Sequence, residues 1–194
     1  MTTGADVVLR PLRPEDGAIV ATLFGANGAC GGCWCMHWRV PHGGRHWQAV
    51  KGAPNRARFL ALVAAGRVRA VLAFAGDVPV GWCCIGPVED FPRLEGARSL
   101  RRERPPGTWA VVCFFIKAGW RRRGIAGRLL AAAVDHAFAA GAAEIEGWPA
   151  VPRTDPMPGA FAWTGVPALF AAAGFSPLPR APRARPIYVR RRPP

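Results

Sequence analysis

Tyrosine occurs once in the 194 residues, at Tyr188, and lysine twice, at Lys51 and Lys117. Acidic side chains number 12 against 26 basic ones, so all but two of the cations are arginine and the net charge is +14. No apolar run approaches the roughly 20 residues that a bilayer span requires. The longest, at 109–116, is strand-sized, so no membrane role is expected. The opening MTTGADVVLRPLRPED lacks the basic-then-apolar order of a secretory leader. Its six cysteines are therefore expected as reduced thiols in the cytoplasm, not as a disulfide framework.

With 51% apolar and 20% charged residues, the chain can bury a substantial core, and its length suits a single domain spanning 1–194. Arginine, alanine, glycine and proline are abundant together, the pattern that GC-rich coding produces. The charge favours polyanions such as phosphorylated cofactors. No nucleic-acid motif accompanies it, so no specific nucleic acid is expected as a partner. A basic nucleic-acid-binding protein stays as a rival because of the basic strand and tail at 180–194.

Apolar spacing organises the chain into alternating elements. Residues 7–12 read as a strand. Pro14, Glu15 and Asp16 open a helix carrying Ile19, Leu23 and Phe24. The periodicity dissolves into Cys, His, Trp and Gly at about 27–47, then Pro54 opens a helix with Phe59, Leu62 and Val63. A hairpin follows at 68–85, and a proline-rich connection at 87–107. The segment TWAVVCFFI at 108–116 has the pattern of a strand covered on both faces. Residues 124–140 form the strongest helix, with Ile125, Leu129 and Ala133 beside Leu130, Val134 and Phe138 in i, i+4 rows. A strand at 144–148, a short helix at 167–173 and a strand pair at 175–178 and 186–189 complete an α/β (α+β) chain with a mixed central sheet flanked by helices.

The junction between the buried strand and the strongest helix carries the chemistry. A strand entering a helix through a tight loop leaves unpaired N–H groups that point one way and bind phosphate. Arg121, Arg122 and Arg123 add positive charge there. Gly124 and Ala126 leave the backbone open to a pyrophosphate.

This junction, Arg121-Arg122-Arg123-Gly124-Ile125-Ala126, resembles the Arg/Gln-x-x-Gly-x-Gly/Ala loop of the GNAT superfamily of N-acetyltransferases. Leu9-Arg10-Pro11 with Asp16, Val80-Gly81-Trp82, and Ala168-Leu169-Phe170 before Gly174-Phe175 follow in the same order, so the resemblance spans nearly the whole chain. The stretch Cys30-Gly31-Gly32-Cys33-Trp34-Cys35-Met36 departs from the general pattern and is similar to a Cys-rich subset of the superfamily. The resemblance implies the GNAT fold and direct transfer of acetyl from acetyl-CoA to the amine of a small-molecule acceptor. It implies a cofactor site of Phe114, Phe115, Ile116, Arg121, Arg122, Arg123, Gly124, Ile125, Ala126 and Gly127. Homodimerisation, frequent in the superfamily, stays open.

The family's usual tyrosine acid falls on Phe170, which has no proton to give. For the base, Glu89, Asp90, Glu144, Glu146 and Asp155 are candidates, with Glu146 first because it shares a strand face with Glu144. His37, His42 and His46 are alternatives. Cys33, Trp34, Cys35 and Trp38, with Trp47, are expected to wall the acceptor pocket. No metal is expected. A zinc or thiol-redox protein built on Cys30, Cys33 and Cys35 stays as one rival, and a non-catalytic acyl-CoA-binding module, suggested by Phe170, as another.

Overall fold

A computed structural model of the chain describes residues 7–41, 43–152, 162–181 and 184–193. Seven strands form one sheet in the order β1-β2-β3-β4-β5-β7-β6. They are β1 Val7–Pro11, β2 Ala70–Ala75, β3 Val78–Pro87, β4 Thr108–Ile116, β5 Glu144–Gly147, β6 Ser176–Pro177 and β7 Tyr188–Arg191. Every neighbouring pair is antiparallel except β4 and β5. The helices are α1 Gly17–Phe24, α2 Gly44–Val50, α3 Ala53–Ala64, α4 Ile125–Ala139 and α5 Pro167–Ala172.

The two faces of the sheet make two cores. Ile125, Leu129, Leu130, Ala133, Val134 and Ala137 pack α4 onto Val71, Ala73, Val80 and Ile85, as the i, i+4 rows require. Gly81 lets this helix close on the sheet, because a Cβ there would meet Leu129 Cδ1 and the Ala73 Cβ, each at 3.1 Å. The opposite face buries Val20, Leu23, Phe24, Phe59 and Val63 from α1 and α3 against Leu72, Trp82 and Cys84. Arg10 grips Asp16 with two hydrogen bonds of 2.6 and 2.8 Å, and the Arg13 N–H donates to the same carboxylate. These contacts tie β1 to the turn that starts α1 and hold the Asp16 carboxyl below its ordinary range.

Two elements depart from the sequence expectation. Helix α2 lies partly inside the 27–47 segment expected to be irregular; no residue of GRHWQAV is buried in it, so no apolar periodicity announces it. The 87–107 connection holds three 3-10 turns and buries Phe91, Leu94 and Leu100. It is packed structure, not an exposed loop.

Among the described residues the one parallel pairing is short. Thr108 to Val111 pair with Glu144 to Gly147, and there β5 ends while β4 runs on to Ile116. On the other edge of β4, Ile85 faces Val111 and Cys84 faces Cys113, so Val112 is an extra residue. A bulge of this kind bends a strand and strengthens its twist, and β4 leaves β5 at that point. Phe170 fills the base of the resulting V. Its ring lies where a Cβ on Gly147 would come within 2.2 Å of Phe170 Cε1.

That contact makes a prediction. Gly147→Ala should lower the unfolding free energy by about 1–3 kcal/mol through overpacking. In urea denaturation the Gly147→Ala/Phe170→Leu double variant should lose less than the sum of the two single changes.

Candidate active site

The V between β4 and β5 opens into a cavity of about 930 Å³. Its lining runs from the loop before α4 (Arg121, Arg122) and the first turn of α4 (Ala126) past Cys113, Phe114, Phe115 and Ile116 to the segment 29–37 and to Trp47 and Lys51. The wall opposite comes from Ala162, Trp163, Gly165, Val166 and Leu169. The phosphate-type loop and the Cys-rich segment therefore share one space.

At the loop, Gly124 sits in the left-handed region at φ 73° and Arg122 at φ 60°. Residues of this kind turn successive amides toward a common point and create an anion-binding hollow. Among the described residues no backbone carbonyl accepts from the N–H groups of Arg122 to Ala126. A Cβ on Gly124 would meet nothing within 4 Å, so the space in front of these amides is open. Arg121 is held by its Nε donating to the Ile116 carbonyl at 3.0 Å, and the Arg123 guanidinium stacks on Trp120. Ile125 turns its side chain into the core, and Gly127 lies against Leu169. Free amides, open space and three arginines fit the pyrophosphate and 3′-phosphate of a coenzyme A.

The strand wall differs from expectation. The Lys117 N–H donates to Val80 in β3. Because amides alternate sides along a strand, the backbone groups of Phe115 also face β3 and do not hold a cofactor chain. Those of Phe114 and Ile116 face the V, yet the Phe114 N–H already donates to the Trp163 carbonyl at 2.7 Å. Among the described residues no backbone carbonyl accepts from the Ile116 N–H on this edge.

The carboxylate assignment is corrected outright. Glu146 is fully buried and accepts from Arg102 Nε at 2.6 Å and Arg104 Nε at 2.8 Å. Glu144 pairs with Arg102 at 2.5 Å and with Arg191 at 3.2 Å. The two glutamates do share a strand face, but arginines of the 87–107 connection cover it, which makes them a structural ion cluster outside the cavity. Glu89 is exposed and Asp90 pairs with Arg69; neither lines the cavity. Asp155 and His42 lie outside the described residues. Tyr188 packs on the core side near Phe170, with ring centroids 6.1 Å apart, and does not reach the cavity.

The aromatic wall is also rearranged. Trp34 and Trp38 are core residues, 3% and 5% exposed, Trp34 against Phe24 and Trp38 against Trp148. Trp47, Cys33 and Cys35 line the cavity as expected for its wall, and Trp163 joins them in place of Trp34 and Trp38. Trp163 belongs to a segment with no periodic signal, and only the fold brings it across from Phe114. Trp34 and Cys35 both adopt positive φ, 51° and 56°. The fully buried Asn55 of α3 pins this turn by donating to the carbonyls of Gly32 and Cys33. Among the described residues no three His, Cys, Asp or Glu side chains converge as a metal site, and all six cysteines are free thiols.

His37 lines the cavity with its ring edge-on to Trp38, Trp47 and Trp163. Burial, then the nearby Arg93 and Arg185, lower its pKa to about 4. Arg93 Nη1 lies 3.3 Å from His37 Nδ1; arginine only donates, so Nδ1 is the bare acceptor and Nε2 carries the proton. This histidine is a neutral donor, unsuited to accept a proton.

The Acetyltransferase (GNAT) family model matches residues 36–155. The chain belongs to the GNAT acetyltransferase family. Among solved structures, the ribosomal-protein-S5-alanine acetyltransferase of Vibrio fischeri is similar at 14% identity and TM-score 0.56, over 98% of this chain and 95% of that one. Diaminobutyrate acetyltransferase EctA of Paenibacillus lautus, solved with L-2,4-diaminobutyric acid and coenzyme A, has 17% identity and TM-score 0.52, with coverage of 96% and 95%. A GNAT family acetyltransferase of Brucella melitensis in complex with acetyl-CoA gives 11% identity and TM-score 0.52, with coverage of 98% and 91%. At these identities the likeness is one of fold. No curated protein matches the sequence.

Two outcomes are expected. Glu146→Ala, which strands Arg102 and Arg104, should cost about 3–5 kcal/mol in denaturant unfolding, while acetyl-CoA uptake by the folded protein is unchanged. For His37 the folded pKa lies below the unfolded 6.5, so between these values the unfolded state binds more protons and stability rises with pH. Its contribution is complete above pH 6.5 and is lost as pH falls toward 4; His37→Gln should flatten that part of the stability profile.

Proposed function

We propose that this GNAT protein is an acetyltransferase that carries acetyl from acetyl-CoA to the amine of a small molecule. The observation that carries the proposal is the row of free amides from Arg122 to Ala126 opening onto the cavity that the Cys-rich segment walls. Those amides, with Arg121, Arg122 and Arg123, would hold the phosphates. The Ile116 N–H would take a pantetheine carbonyl, and Phe114, Ala126 and Leu169 would flank the chain. Bound acetyl-CoA supplies an activated thioester. The acceptor would enter between the 29–37 segment, Trp47 and Trp163. The presence of coenzyme A or acetyl-CoA in fold relatives supports this placement. Six free thiols suit the reducing cytoplasm, and among the described residues no helix is long and apolar enough to cross a membrane.

Native mass spectrometry of the purified protein should show stoichiometric uptake of acetyl-CoA, and amines should then release free CoA thiol. Gly124→Val places a β-branched residue at φ 73° and fills the open space before the amides. It should weaken acetyl-CoA binding by roughly tenfold or more, about 1.4 kcal/mol, in a protein that still folds but whose unfolding free energy is lowered by about 1–3 kcal/mol, because the positive φ strains a β-branched residue. Unchanged affinity in that variant would sink the loop assignment. Uptake without thiol release from any amine would favour the non-catalytic acyl-CoA-binding module instead.

A further inference from the structure

We infer that Cys113 is the acid that returns a proton to the coenzyme A sulfur as the thioester breaks. The inference rests on the transferase proposal above and supplies a catalytic residue for it. Its ground is a file of three thiols from three separate segments: Cys35 of the Cys-rich turn, Cys84 of β3 and Cys113 of β4. Cys84 and Cys113 face each other across the two strands, and the Cys35 side chain hydrogen-bonds with both. Cys35 and Cys113 line the cavity, and Cys84 is fully buried behind them.

The bulge sets the direction of the Cys113 thiol. Cys113 is the second residue past Val111, the last to pair with β5, so it stands at the throat of the V. Its S–H donates weakly to the Phe114 carbonyl, with Sγ 3.9 Å from the oxygen. The N–H and C=O of one strand residue leave on the same side, and the Phe114 N–H faces the V, bonded to Trp163. The Cys113 proton is therefore aimed into the V. A pantetheine that starts at the 122–126 amides and passes Ile116 runs back along β4 toward this thiol. Three residues of extended strand, about 10 Å, separate Ile116 from Cys113.

An acid must hold its proton at the working pH and tolerate the charge it leaves behind. Contact with Cys35 favours the Cys113 thiolate, but burial and the neighbouring thiols together outweigh it and push the pKa up. Cys113 therefore enters the reaction protonated. The departing sulfur is a thiolate of the same chemical kind, so transfer between the two has no large intrinsic cost. The charge left on Cys113 meets the Cys35 S–H, with Cys84 and the Arg39 guanidinium next in line. Stacking on Phe91, 4.9 Å from the ring centroid, holds that guanidinium in place. The chain's single phenol, Tyr188, packs beside Phe170 away from the cavity and does not compete for the role.

In the step itself the amine lone pair bonds to the acetyl carbon, and the carbon–sulfur pair leaves on sulfur. The Cys113 proton moves to that sulfur, giving the CoA thiol and a Cys113 thiolate. The proton shed by the acylated nitrogen passes through water to Cys113 and restores its thiol. The products are the acetamide and the CoA thiol, and the protein ends as it began.

The test titrates the full chain with coenzyme A and with desulfo-coenzyme A, which lacks only the sulfur. Turnover of acetyl-CoA is followed as thiol release with hydroxylamine as a small acceptor. Cys113→Ala should weaken coenzyme A binding by about 2- to 5-fold, the loss of one hydrogen bond to sulfur, and leave desulfo-coenzyme A binding unchanged. Unchanged desulfo-coenzyme A binding also reports a folded variant. Its kcat should fall by about 100-fold or more. Cys113→Ser keeps the size and a donor but is a far weaker acid, so it should retain the affinity and still lose kcat by about tenfold or more. Cys35→Ala should lower kcat by about 2- to 10-fold, and Cys35→Ser, which still donates to Cys113, should restore it. Equal weakening toward both ligands, or an unchanged kcat in the Cys113 variants, would overturn the inference. A wild-type chain that binds acetyl-CoA but releases no thiol with hydroxylamine or any amine would instead overturn the transferase proposal itself.

Discussion

The separation of β4 from β5 after Val111 governs everything around the site. Four residue pairs of parallel ladder hold the strands together, and beyond them the β4 amides must find other partners or remain open. The bulge at Val112 turns the strand, the Phe170 ring wedges against Gly147, and the Trp163 carbonyl caps the Phe114 amide. Each is a local answer to the same demand, that buried backbone groups be paired once a ladder stops. The cavity is the volume left between strands that no longer touch.

The closed end of the V is held electrostatically. Arg102 bridges Glu144 and Glu146, and Arg104 adds a second contact to Glu146. All three arginine–glutamate contacts are largely withdrawn from water, where breaking one partner costs far more than the intact pair contributes. The 87–107 connection supplies both arginines and so anchors the strand pair from outside. In a chain with few acids, two are committed to this clamp and a third, Asp16, to the start of α1. The cationic excess therefore finds little internal neutralisation, and the cavity inherits it through Lys51, Arg121 and Arg122.

The Cys-rich segment turns inward in an unexpected way. Its tryptophans, the residues most suggestive of a binding wall, serve as core: Trp34 packs on Phe24, and Trp38 on Trp148. Its small thiols face the cavity, where bulk would close it. Left-handed backbone at Trp34 and Cys35, fixed by Asn55 from α3, produces this reversal. Spacing along the chain carries no sign of it, because alternation rules assume regular φ and ψ.

The sequence by itself determined the element order from residue 53 onward, the two rows of α4 and the loop that precedes it. Periodic burial and helix-start geometry are local properties that neighbouring residues specify. Cys33, Cys35, Ile116, Arg121, Arg122 and Ala126, named from the sequence, line one cavity. Tertiary structure alone decided which carboxylates face solvent, ion partners or cavity. The strand face shared by Glu144 and Glu146 is visible in the spacing, but the arginines that cover it come from more than 40 residues away. It alone brought Trp163 over β4 and set Trp47 on an unannounced helix. Those placements depend on contacts between segments distant in sequence, and no pattern within either segment records its partner.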